Sequence, residues 1–112
     1  MEEETPNQQY IIDLFGENRQ EQKNIMIEII REFHSDKKEF TYLYKKAEYH
    51  KASKVVHRLK QKISIFGLEK SHANAQNFEN ELRENVLTSF KKFNETLLTI
   101  ERYLENYEKY NC

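Results

Sequence analysis

Two glycines and one proline in 112 residues leave this chain few means of turning tightly. A sandwich, a barrel or a doubly wound sheet needs a turn about every ten residues, and such turns draw heavily on glycine. The same scarcity removes phosphate-cradling loops, since neither GxGxxG nor GxxxxGK occurs. Hydrophobic residues make up 38% of the sequence, with seven Phe and seven Tyr. That is too much for a disordered chain and enough for one small core. The expectation is a soluble all-α domain.

Periodicity fills in the helices. Residues 1–9 are acidic and polar, contain Pro6, and read as a mobile lead-in to a single domain over 10–110. Tyr10–Phe15 followed by Gly16 suits a short helix with a glycine stop. Ile25, Met26, Ile29, Ile30 and Phe33 then recur at 3–4 spacing, and Phe40, Leu43, Tyr44 and Ala47 carry the stripe onward. Polar His34–Lys38 between them leaves open one long helix or two. A further helix is expected from about Lys51 to Phe66, stopped by Gly67, and another from about Leu68 to Glu84. The last, about Val86 to Tyr107, places Val86, Phe90, Phe93, Leu97, Ile100, Leu104 and Tyr107 in 4-3 alternation. Four substantial amphipathic helices with short connections predict an antiparallel four-helix bundle with a short extra N-terminal helix.

Charge and cysteine usage bound the setting. The net charge is -1, so no global attraction to nucleic acid or to an anionic membrane is expected. The one cysteine, Cys112, is the last residue, which allows no internal disulfide and points to a reducing compartment. No apolar run approaches the roughly 18 residues of a membrane span. Glu2, Glu3 and Glu4 stand where a signal peptide would carry basic residues. The reading is a cytoplasmic protein, and the Met1 start with its lead-in favours a free-standing one.

Enzyme-type constellations are scarce. His34, His50, His57 and His72 show no HExxH spacing, no zinc set is complete, and no serine has a glycine-elbow context. His57 differs because of where helical geometry puts it. At about 100° per residue, Ala52, Val55, Val56, Leu59, Ile63 and Phe66 cluster on one face, and His57 falls about 150° away from it. Lys60 follows one turn on, and Ser53 and Ser64 lie on the same flank. Lys51, Lys54, Arg58, Lys60 and Lys62 supply five basic residues in a stretch with no acidic one.

His57-Arg58-Leu59-Lys60, with Gly67 ten positions after the histidine, resembles the signature of histidine-containing phosphotransfer (HPt) domains, the small helical bundles of multistep two-component phosphorelays. The helix layout from Tyr10 to about Tyr107 and the Phe78-Glu79 pair are similar as well. The resemblance implies a phosphorelay intermediate in signal transduction. A phosphoryl group would pass from a receiver-domain aspartate to His57, making a phosphoprotein, and then to another receiver. Its implied partners are response-regulator receivers and a hybrid sensor histidine kinase. No cofactor is expected on this chain, Mg²⁺ being expected on the receiver, and no kinase activity of its own is implied.

In that reading His57 is the carrier, and Arg58 and Lys60 favour its neutral, nucleophilic form. Lys60 then offsets the phosphoryl charge, and Glu79 accepts a hydrogen bond from the ring. Ser53, Lys54, Arg58, Gln61, Ser64 and Glu79 would line the docking surface, the basic strip meeting an acidic receiver. Gln61 departs from the family, which usually has glycine there, and a longer side chain would crowd an approaching partner.

The rival expectation is a non-catalytic helical interaction module that dimerises through the 4-3 stripe of Val86–Tyr107. In a bundle that stripe is core, and the chain is then a monomer. Nucleic-acid binding through Lys51–Lys62 is the weaker rival, opposed by the acidic start and a pI near 6.4.

Overall fold

The computed structural model describes residues 4–111 and is helical throughout its regular elements. Glu2, Glu3 and Cys112 lie outside the described residues. The helices are α1 (Gln9–Phe15), α2 (Arg19–Lys45), α3 (Tyr49–Ile65), α4 (Glu69–Arg83) and α5 (Phe90–Asn111). In sequence order, α1 packs on α2, α2 on α3, α3 on α4 and α4 on α5. Among the described residues no helix is long and apolar enough to cross a membrane.

α2 is one helix, and its polar middle is a seam of charge pairs. The Asn18 side chain caps its start by accepting from the Glu21 backbone N–H. Asp36 is buried and takes Arg58 and Lys62 from α3, while Lys37 pairs with Glu101 of α5. The run His34–Lys38 reads as a weak point in a purely hydrophobic pattern because its pairing lies across helices.

Three helix ends share one geometry. Ala47, Gly67 and Asn85 each adopt a left-handed φ, of 58°, 78° and 58°. In each case the next N–H reaches back five residues: Glu48 to Leu43, Leu68 to Ile63 and Val86 to Glu81. This satisfies carbonyls that a helix end leaves unpaired. Ala47, expected on the apolar stripe, is instead an exposed turn residue. The expected start of the last helix at Val86 is likewise corrected. Val86 is 41% exposed outside the helix. The Glu81 carboxylate accepts from the Ser89 backbone N–H and hydroxyl, holding the α4–α5 connection just before Phe90.

The core is aromatic at its centre. Phe40 of α2 meets Phe78 of α4 edge-on and both Phe90 and Phe93 of α5, with ring centroids 5.3–6.5 Å apart. Phe93, Leu97, Ile100 and Leu104, the heart of the 4-3 stripe, are each at most 1% exposed. These four are buried within the molecule and so are not free to form a seam with a second copy.

The segment expected as a mobile lead-in has defined partners from Glu4 onward. The Glu4 carboxylate accepts from the backbone N–H groups of Lys70 and Ser71 and from the Ser71 hydroxyl, capping α4 from outside its own chain segment. Burial works against that charge, but these hydrogen bonds outweigh it and hold Glu4 below the ordinary carboxylate range. Pro6 is buried, the Asn7 N–H donates to the Phe66 carbonyl, and Gln8 donates to the Tyr103 hydroxyl.

Candidate functional site

The apolar row of α3 fixes where His57 stands. Ala52, Val55, Val56, Leu59 and Ile63 are all buried, at 2% exposure or less, which turns His57 outward in the middle of a rigid helix. Its side chain is 52% exposed. On its inner side, Nδ1 lies 3.2 and 3.3 Å from the two carboxylate oxygens of Glu79 on α4.

Glu79 is the hub of the site. Its side chain is 4% exposed and receives the Lys60 Nζ at 2.9 Å and the Arg83 Nη2 at 2.8 Å. Burial opposes the charged form, yet hydrogen bonds from Lys60 and His57, together with their charges, hold the Glu79 carboxyl below the usual carboxylate range. An ionised carboxylate only accepts, so the proton of a neutral His57 belongs on Nδ1. The Nε2 lone pair is then free of the pair, on an exposed ring. This tautomer is assigned from the hydrogen-bond pattern.

The expected surroundings of His57 need four corrections. Lys60 is not an exposed neighbour: its side chain is 11% exposed, and its ammonium lies against Glu79 and the Gln76 amide oxygen. Arg58 turns toward α2, where it donates to Asp36 at 3.1 Å and Glu39 at 2.6 Å. Burial works against the guanidinium's charge, but these two acidic partners raise its pKa. Ser53 is fully buried and its hydroxyl donates to the His50 carbonyl, so it presents nothing to a partner. Finally, the basic run is not a free strip. Lys51 pairs with Glu48, and Lys62 is buried between Glu32 and Asp36.

Lys54, Gln61 and Ser64 do stand exposed on the His57 side of α3. Lys54 alone of the five cations has no carboxylate partner among the described residues. Arg83 and Gln76 were not singled out from the sequence. Arg83 was within reach as the i+4 neighbour of Glu79, a spacing that favours such pairs. Gln76 carries no signal short of the α3–α4 packing itself. Among the described residues no group of three or more His, Cys, Asp or Glu side chains is placed to hold a metal ion.

Comparison with protein-family models, with curated proteins and with solved structures finds no match.

Proposed function

We propose that this chain is a histidine-containing phosphotransfer domain in which His57 Nε2 accepts a phosphoryl group from a receiver aspartyl phosphate and hands it to another receiver. We read the four long helices as an antiparallel bundle with α1 as the extra helix. The short connections 46–48 and 66–68, and the successive packing of neighbouring helices, support that arrangement.

One observation carries the reading: an exposed imidazole backed on Nδ1 by a buried, ionised carboxylate. The Nε2 lone pair attacks phosphorus, the bond from phosphorus to the aspartyl oxygen breaks, and that oxygen leaves with the electron pair as carboxylate. The ring keeps its Nδ1 proton and becomes positively charged, and Glu79 faces the atom where that charge appears. Preorganised charge aimed at charge that develops during reaction is an effective form of catalysis. In this reading Lys60, its ammonium 2.9 Å from Glu79, serves the carboxylate rather than the incoming phosphoryl group. Its role here is to keep Glu79 ionised, with Arg83 assisting.

The test offers a phosphorylated receiver domain to the protein and follows the label. Acid-labile, base-stable phosphate on His57, absent from His57→Gln, is the expected result. Equal labelling of His57→Gln contradicts the assignment. Gln61→Gly should speed transfer if that exposed amide crowds the approaching receiver, and an unchanged rate removes Gln61 from the account.

A further inference from the structure

Glu79 has more cations around it than one carboxylate needs. Lys60 Nζ lies 2.9 Å from its Oε1 and Arg83 Nη2 lies 2.8 Å from its Oε2, so two positive charges face one negative charge. The two cations are held very differently. The Lys60 side chain is 11% exposed, and its ammonium also lies against the Gln76 amide oxygen. The Arg83 side chain is 46% exposed at the end of α4, and its further contact, with Asn80 Oδ1, is 3.5 Å long. An exposed pair at i, i+4 is weakly held. Burial opposes the Glu79 charge, and Lys60 and His57 are the main groups that offset it. The carboxylate has a sufficient set of partners without Arg83.

Phosphorylation changes the count. As the Nε2–phosphorus bond forms, the ring gains a positive charge beside Glu79, and the phosphoryl group brings about two negative charges to the solvent side. Glu79 then faces three cations, while the new anion has none of them. Coulomb attraction favours moving the surplus cation to the uncompensated anion. Position selects Arg83 for that move. Glu79 Oε2 lies 3.2 Å from His57 Nδ1 as well as 2.8 Å from Arg83 Nη2, so the guanidinium already stands beside the ring. Chemistry selects it too, since a guanidinium fork matches two phosphoryl oxygens.

Building on the proposed role of His57, we infer that Arg83 releases Glu79 when the ring is phosphorylated and binds the phosphoryl oxygens, leaving Lys60 to hold the carboxylate. Arg83 is then a phosphoryl-binding residue supplied by α4, on the helix opposite the histidine. Lys54 is the rival cation, exposed and without a carboxylate partner among the described residues. It offers a single ammonium on a free side chain, with no contact that holds it at the ring.

The test phosphorylates the intact protein with phosphoramidate and follows the phosphohistidine by phosphorus-31 NMR across pH. A cation on the phosphoryl oxygens favours their doubly charged form and lowers the midpoint of that ionisation. Arg83→Gln should raise the midpoint by about one pH unit, and Arg83→Lys by less. Arg83→Gln should have the same effect in a Glu79→Gln background, because the contact is with the phosphoryl group itself. An unmoved midpoint in Arg83→Gln overturns the inference, as does an effect that vanishes with Glu79 or a larger shift from Lys54→Gln. No phosphate on His57 of the parent overturns the proposed function along with it, whereas labelled His57 with an unmoved midpoint overturns the role of Arg83 alone.

Discussion

At the residue scale the proposed transfer depends on the pair His57–Glu79 and on the cations that keep Glu79 charged. Replacing Glu79 with Gln preserves an acceptor for Nδ1–H but removes the charge facing it. Phosphoryl transfer should slow about tenfold to a hundredfold without being lost, read from single-turnover transfer rates. Glu79 also ties stability to pH. Its folded pKa lies below the ordinary 4.5, so its contribution is present above that value and is lost as pH falls through the lower folded one. Melting temperatures across the acid range should therefore fall more steeply for the parent than for Glu79→Gln, and parallel slopes would contradict the linkage. His57 and Gly67 could be picked out in the sequence because helical angle and motif spacing both mark them. The fate of Lys60 could not, because its direction is set by a carboxylate on another helix. Ser53 shows the same limit: its flank was right in angle, yet α3 buries it.

At the element scale the informative features are the turns. A left-handed residue costs a non-glycine side chain roughly 1–2 kcal/mol, offset in part by the greater freedom glycine has when unfolded. Ala47→Gly is accordingly expected to stabilise the fold by about 0.5–1 kcal/mol in denaturant unfolding. Gly67→Ala is expected to do the opposite, by about 1–2 kcal/mol, because its φ is 78° and an added Cβ would sit 2.7 Å from the Asn7 amide nitrogen. The glycine stops at Gly16 and Gly67 were legible in the sequence. The stops at Ala47 and Asn85 were faint there, since neither residue type demands that conformation. For the same reason the last helix reads four residues too long at Val86. The start of α4 depends on Glu4, more than 60 residues away in sequence, so the pattern of α4 alone cannot show it. Glu4→Ala should speed hydrogen exchange of the Lys70 and Ser71 amides and cost about 1 kcal/mol, as loss of a helix cap does. Unchanged exchange would remove the cap.

At the scale of the whole molecule, the hydrophobic pattern settled the helical class because each amphipathic stripe has somewhere inside to go. The α5 stripe is buried at Phe93, Leu97, Ile100 and Leu104, so sedimentation should show a monomer, and a constitutive dimer through α5 would require that core to open. Charge was harder to read, since a net of -1 conceals how it is arranged. The basic run of α3 is largely neutralised across helices, while on the outward face of α2 Arg31, Lys38 and Lys45 have no carboxylate partner among the described residues. The proposed phosphoryl carrier is one nitrogen atom, and its role can be tested without knowing any partner. Treatment of nitrogen-15-labelled protein with phosphoramidate, followed by NMR of the imidazoles, should show phosphorus coupled to His57 Nε2, with Nδ1 still protonated toward Glu79. Coupling at Nδ1, or phosphate carried by another histidine in preference to His57, would contradict it.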